Sequence, residues 1–244
     1  MKYVFGSLCY HLAVTVWTLC LGLVFLPAML VAKKRMTHFI PRFWTGSLLF
    51  FARIFCGITH EVRGGGHIVR GPAIYAMKHQ SAWETLALWH ILPEPVFILK
   101  KELLTIPIFG QYLAASPIIA IDRKAGQKAI ASMLEQARGH LAKGRQIVIF
   151  PEGTRIKPGE TGKYRSGVAA LYEAFPDVPL IPVALNSGLY WGRNSFVRKP
   201  GEIIIEFSSP VPAGLERGAF LETLKEIIET ASKKLLAEAG KQAY

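Results

Sequence analysis

The sequence predicts an α/β fold: a mostly parallel sheet flanked by helices, preceded by an N-terminal hydrophobic two-helix membrane anchor. Three observations carry this prediction. One is an apolar run free of formal charge from residue 3 to residue 32. Another is a series of short, partly β-branched apolar runs at 73–77, 96–99, 118–121, 146–150, 180–185 and 202–207. The last is helical apolar spacing between or after them, at 127–141 and 220–236. Strands that alternate with helices need crossover connections, and so argue for parallel pairing.

The N-terminal run comes first. Thirty helical residues would extend about 45 Å, more than the roughly 30 Å hydrocarbon core of a bilayer. The stretch reads as a membrane helix, with Pro27 a point at which it could break. A cleavable secretory leader is the rival reading, because Leu30-Val31-Ala32 could serve as a cleavage site. Against it, the run exceeds the roughly 7–15 apolar residues of a leader. Lys33-Lys34-Arg35 then favours a stop and a cytoplasmic location for the rest of the chain. A second apolar segment, 39–58, is cut by Arg42 and Arg53 into pieces too short to span. Phe43, Trp44, Leu48, Phe51 and Phe55 fit one helical face, as in a helix lying in the membrane interface; an ordinary core helix is the alternative. Residues 1–60 therefore read as the anchor and 61–244 as one α/β domain, with no repeat or linker dividing it.

Composition narrows the partners. Hydrophobic residues make up 51% of the chain, which excludes a disordered protein. The net charge of +12 admits nucleic acid, a membrane surface or an anionic substrate. Residues 1–60 carry Lys2, Lys33, Lys34, Arg35, Arg42 and Arg53 and no acid, so all 17 acidic residues lie beyond them. Further on, the basic residues follow strand ends while the aromatics concentrate in the anchor, which argues against nucleic acid. Cys9, Cys20 and Cys56 have neither the number of a disulfide framework nor the spacing of a metal site. Gly64-Gly65-Gly66 follows a short strand and reads as a turn. There is no GxSxG elbow and no Walker A loop.

The chemistry gathers where strands end. In Lys78-His79-Gln80-Ser81-Ala82-Trp83-Glu84, a histidine and a glutamate five apart cannot share a face of one helix, being about 140° apart. They can meet if His79 lies on the loop after strand 73–77 and Glu84 on the first helical turn. The carboxylate would then fix the imidazole tautomer and stabilise the imidazolium, giving a general base whose nucleophile is a substrate hydroxyl. Ser81-x-x-Glu84 is equally a helix-capping box with Ser81 at the N-cap. Lys100-Lys101-Glu102, Asp122-Arg123-Lys124 and Phe150-Pro151-Glu152-Gly153-Thr154-Arg155 close three further strands, where open α/β sheets bind ligands. Arg123 and Arg155 together could clamp a phosphate, although Glu152 with Arg155 is an obvious surface pair. Lys163-Tyr164-Arg165 reads as a weaker basic cluster at a helix start.

In order and spacing, His79-x4-Glu84, Lys101-Glu102-Leu103 to Pro107 and Gly110, Ile121-Asp122-Arg123, Phe150 to Arg155, and Ile181-Pro182-Val183 form a series. This series resembles the glycerolipid acyltransferase family, specifically its bacterial 1-acyl-sn-glycerol-3-phosphate acyltransferases, over residues 73–185. One departure stands out: the family usually has aspartate where this chain has Glu84. The resemblance implies that His79 takes the proton of the sn-2 hydroxyl of lysophosphatidic acid as it attacks an acyl thioester, acyl-CoA or acyl carrier protein. Glu84 would orient His79, and Lys101 would stabilise the oxyanion. Arg123 and Arg155 would hold the phosphate, and the turn of Glu152, Gly153 and Thr154 the glycerol. No metal or cofactor is implied, and the product would be phosphatidic acid. The setting would be the bacterial inner membrane, with the site on its cytoplasmic face. Two alternatives stand beside this: another lysolipid acceptor, such as a lysophospholipid or lyso-ornithine lipid, and a non-enzymatic basic membrane-surface protein.

Overall fold

A computed structural model of the chain describes residues 2–31, 39–106 and 109–242; the Lys33-Lys34-Arg35 cluster and Pro107 lie outside them. Two helices lead, α1 (Lys2–Val31) and α2 (Phe39–Cys56). α1 continues through Pro27 instead of breaking there, since proline removes one helical hydrogen bond but keeps a helical φ. Then come β1 (Ile58–Arg63), β2 (Ala73–Met77), α3 (Trp83–Ile91), β3 (Pro95–Lys100), α4 (Phe109–Ala115), β4 (Ile118–Ile121) and α5 (Gln127–Leu141). β5 (Gln146–Ile149), α6 (Ser166–Ala174), β6 (Leu180–Leu185), β7 (Gly201–Phe207) and α7 (Arg217–Gln242) complete the chain. The sheet thus starts at Ile58, before the expected boundary at residue 60. The turn after β1 falls at Gly64, whose φ is +66°; a Cβ there would lie 2.0 Å from the Phe207 carbonyl oxygen.

Among the described residues the strands form one seven-stranded sheet in the order β1-β7-β6-β2-β5-β3-β4. β2 through β6 run parallel, and β7 is antiparallel to β6 with β1 parallel to it. The two faces of β2 show how the sheet is covered. Ile74 and Ala76 pack with α5, α6 and α7, whereas Ala73, Tyr75 and Met77 pack with α3. The β2-α3-β3 connection therefore crosses one face and the β5-α6-β6 connection the other. Between β2 and β5 the chain leaves in opposite directions, which opens a crevice at their carboxyl ends.

The anchor packs onto this domain. Ile40, Leu48, Ala52 and Cys56 form the buried face of α2, and Tyr10, Leu48, Ala52, Cys56, Trp83, Leu86 and Ala87 share one core. The outer side of α2 exposes Phe39, Phe43, Phe50 and Ile54, and α1 exposes Phe5, Leu8, Leu12, Val16, Leu19 and Leu23 at helical spacing. The single apolar face expected for α2 is thus divided, with Leu48 turned inward and Phe43 and Phe55 outward. A helix apolar on both sides suits a position between a protein core and lipid. α1 is long and apolar enough to cross a membrane over Tyr3–Val24.

Strand alternation continues past β2 and separates its next two residues. Lys78 turns to the α7 side and is 1% exposed. Its Nζ donates to Glu152 Oε1 at 2.7 Å, to Glu229 Oε1 of α7 at 2.7 Å and to the Glu160 carbonyl at 3.1 Å. Thr161 and Tyr164 hydroxyls donate to the same Glu229. Burial, with Glu229 and Glu152 adding, pushes the Tyr164 phenol well above its ordinary pKa, so it remains a donor. Breaking a buried ion pair from one side leaves an uncompensated charge. Lys78→Met is expected to cost about 3–5 kcal/mol in denaturant unfolding, and adding Glu229→Gln to recover part of that loss. Additive losses in the double variant would show that the two side chains do not interact.

Candidate active site

His79 leaves β2 toward the α3 side, where Glu84 waits in the first turn of α3. His79 Nδ1 lies 2.9 Å from Glu84 Oε1, which also accepts from the backbone N–H of Gln80 at 2.8 Å and Ser81 at 2.7 Å. An oxygen already accepting two backbone N–H groups acts as acceptor for the third, so Nδ1 carries the proton and Nε2 keeps its lone pair. Nε2 has no hydrogen-bond partner among the described residues. The imidazole stacks on Phe150, with centroids 3.9 Å apart, and its side chain is 14% exposed, against 0% for Glu84. The result is a fixed ring with one basic edge open to a ligand.

Capping and orienting, set against each other at the sequence level, are done by the same carboxylate. Ser81 Oγ accepts from Trp83 N–H at 3.1 Å while Glu84 accepts from Ser81 N–H. The reciprocal pattern is that of a capping box, though the residue flanking α3 is Ala82. Glu84 Oε2 makes a further contact that the sequence did not suggest: Ser187 Oγ, just after β6, donates to it at 2.9 Å. Ser187 lies 103 residues from Glu84 in the chain. The signal available in sequence was only that Asn186-Ser187-Gly188, a polar turn, follows the carboxyl end of β6.

The loop after β5 holds the histidine from the other side. Glu152 is buried, and its Oε2 accepts from the His79 backbone N–H at 3.1 Å while Oε1 meets Lys78. Ile156 N–H donates to the His79 carbonyl at 2.8 Å. Both carboxylate oxygens of Glu152 face into the domain. The expected surface pair with Arg155 does not form, and the two oxygens expected beside a glycerol are engaged by Lys78 and the His79 backbone. Burial raises the Glu152 pKa, an effect that Lys78 opposes. Gly153 adopts φ +66° in the turn, and Thr154 is exposed.

The two arginines expected to act as one clamp occupy separate surroundings. Arg123, exposed after β4, donates to the Gly153 carbonyl and lies beside Arg165; a Cβ on Gly153 would sit 3.5 Å from Arg123 Nη1 and 3.6 Å from Arg165 Cγ. Arg155 instead adjoins the β6–β7 connection, where Arg193 donates to its carbonyl at 2.9 Å. The Arg155 guanidinium itself has no hydrogen bond or ion pair among the described residues. Lys101 is exposed at the start of a 3-10 turn after β3. The neighbouring Glu102 acts electrostatically on Arg123. Every one of these groups stands at the carboxyl edge of the parallel strands, around the crevice between β2 and β5. No group of three or more His, Cys, Asp or Glu among the described residues is arranged to hold a metal.

Comparison with known proteins agrees with this geometry. A family model described as Acyltransferase matches residues 59–186, the stretch that carries β1 to β6 and each of these strand ends. The chain is 33% identical over 216 residues to a 1-acyl-sn-glycerol-3-phosphate acyltransferase of Pseudomonas aeruginosa, covering 88% of this chain and 84% of that one. It is 31% identical to the Mus musculus 1-acyl-sn-glycerol-3-phosphate acyltransferase alpha over 80% of this chain and 68% of the other. The crystal structure of the 1-acyl-sn-glycerophosphate acyltransferase of Thermotoga maritima shares the fold, with a TM-score of 0.76 over 97% of this chain and 98% of that one at 18% identity. The histidine–carboxylate pair and the loop after β5 that holds it lie inside the matched region, and with identity sustained over most of this chain and of its Pseudomonas aeruginosa relative this protein belongs to the acyltransferase family.

Proposed function

We propose that this protein transfers an acyl chain from an acyl thioester to the free sn-2 hydroxyl of 1-acyl-sn-glycerol-3-phosphate, making phosphatidic acid at a membrane surface. The observation that carries the reading is the His79 ring: Nδ1 is committed to a buried carboxylate and Nε2 is free. Nε2 takes the hydroxyl proton as the oxygen adds to the thioester carbonyl. The tetrahedral intermediate then expels the thiolate, and the imidazolium returns the proton to sulfur. Glu84 stabilises the imidazolium between these steps. A thioester is already activated, so the chain needs no nucleophile of its own. The separated arginine groups suit a reaction whose two substrates both carry phosphate, on the lysolipid and on the coenzyme A or carrier-protein arm. The names of the curated relatives support the lysolipid acceptor.

The test is purified protein supplied with lysophosphatidic acid and an acyl-CoA or acyl carrier protein, with phosphatidic acid as the readout. His79→Ala should lower turnover by about 10²–10⁴ with an unchanged circular dichroism spectrum; retained turnover rejects the base. Glu84→Gln preserves the polar partners but removes the charge, and should lower kcat by about 10² with little change in either KM. Arg155→Ala and Arg123→Ala should each raise one substrate's KM by about tenfold more than the other's. Equal rates with other lysolipids would reject the acceptor. Membrane association is checked separately. Leu12→Lys with Leu19→Lys, both on the exposed stripe of α1, should release the protein from vesicles of anionic phospholipid, each costing about 2.5–3.5 kcal/mol if that position lies at mid-bilayer.

A further inference from the structure

We propose that Ser187 is a positioning residue for acyl transfer: its hydroxyl fixes the second oxygen of Glu84 and so sets the angle and basicity with which that carboxylate holds His79. The inference rests on the general-base reading of His79. Glu84 Oε1 is saturated by His79 Nδ1 and two backbone N–H groups, whereas the hydrogen bond to Oε2 comes from Ser187 Oγ at 2.9 Å. Both residues are 0% exposed, so bulk water has no direct access to replace that hydroxyl. A carboxylate anchored at one oxygen can turn about its terminal bond, and one anchored at both cannot.

The hydroxyl is itself held. The Ser187 carbonyl accepts from Tyr190 N–H at 3.2 Å and Trp191 N–H at 2.9 Å. Gly188 N–H donates to Gln80 Oε1 at 3.0 Å, tying this turn to the loop that carries His79. The turn is packed close: a Cβ on Gly188 would lie 2.7 Å from Pro158 Cγ and 3.0 Å from Gln80 Cβ. β6 pairs directly with β2, which is why the ends of the two strands meet here.

The consequence for the histidine has a definite sign. A hydroxyl donating to the carboxylate spreads its negative charge and weakens its pull on the imidazolium. Removing it strengthens that pull on the imidazolium, which sets the sign of the change expected in the pH profile. The other charged groups nearby do not change in the variant. They are Glu152 on the His79 backbone, Lys78 and Glu229 behind it, Arg155 on the β5 loop, Arg193 and Arg198 on the β6–β7 connection, Arg123 after β4, and His60 against Trp83 of α3.

Ser187→Ala tests this in the same phosphatidic acid assay. Its kcat should fall about tenfold, because a carboxylate free to turn holds His79 less well aligned. The acid limb of the kcat/KM–pH profile should move up by about half a unit or more. Both KM values should stay within about twofold, and the melting profile should shift down by no more than about a few degrees, since one buried acceptor is left unpaired. Ser187→Thr, or Ser187→Cys if the threonine variant does not fold, returns a donor and should move the acid limb back toward the parent. A parental kcat and acid limb in Ser187→Ala overturns the inference, and so does a fall in kcat with an unmoved acid limb. His79→Ala, run alongside, separates the two readings. If it turns over, the general-base reading fails; if it is inactive while Ser187→Ala behaves as the parent, only the role of Ser187 fails.

Discussion

The ammonium of Lys78 is the contact on which the site's geometry hangs. A lysine this deeply buried is costly unless its charge is met, and here two carboxylates and a backbone carbonyl meet it. The arrangement does more than neutralise a charge. Glu152, kept near Lys78 by one oxygen, uses the other to hold the backbone N–H of His79. Glu229 brings α7 into the same contact, so the C-terminal helix fixes the loop from which the histidine projects. Burial alone would favour a protonated Glu152; Lys78 counters that tendency.

Strand periodicity explains why adjacent residues do such different work. β2 alternates its side chains between the α7 side and the α3 side, and the alternation carries on for two residues after the strand ends. Lys78 falls to the first side and His79 to the second. The loop after β5 reaches across the crevice and grips both, through the two oxygens of one carboxylate. The imidazole on one side of the sheet is thereby braced by an ion cluster on the other, beside the crevice between β2 and β5, the place where open α/β sheets bind ligands.

The fold was largely legible because each strand between parallel neighbours is buried on both faces, and so appears as an unbroken apolar run. The histidine–glutamate pair was legible because its two members are close in the chain and lie on a strand–helix junction. What failed was partner choice across distance. Glu152 and Arg155 are three apart and look like a surface pair, but Lys78 outcompetes the arginine because a buried lysine cannot be left unpaired. Arg123 and Arg155 follow adjacent motifs, yet the turn at Gly153 gives each a different set of neighbours. The contact of Ser187 with Glu84 depends on β6 lying beside β2, a fact of topology that no local pattern encodes. Sequence spacing alone puts the outward phenylalanines of α2 on one face with Leu48, whereas a helix packed on a domain on one side and apolar on the other has two.

The β6–β7 connection joins these parts into one unit. Near its start, Ser187 reaches the Glu84 carboxylate, and Arg193 holds the carbonyl of Arg155. On its α1 side, Trp191 packs edge-on against Tyr10 at 5.4 Å, and Phe196 stacks on His11 at 4.5 Å. Ser7 Oγ accepts from Arg198 N–H at 2.8 Å, and the Arg198 guanidinium lies 4.5 Å over the Trp191 ring. α1 is therefore packed against the segment that completes the site, rather than tethered to it through a hinge. Its opposite face, from Phe5 to Leu23, is the exposed apolar stripe. The stripe and the His79 ring are thus fixed relative to each other by folded structure, as the proposed transfer to a membrane-held acceptor requires.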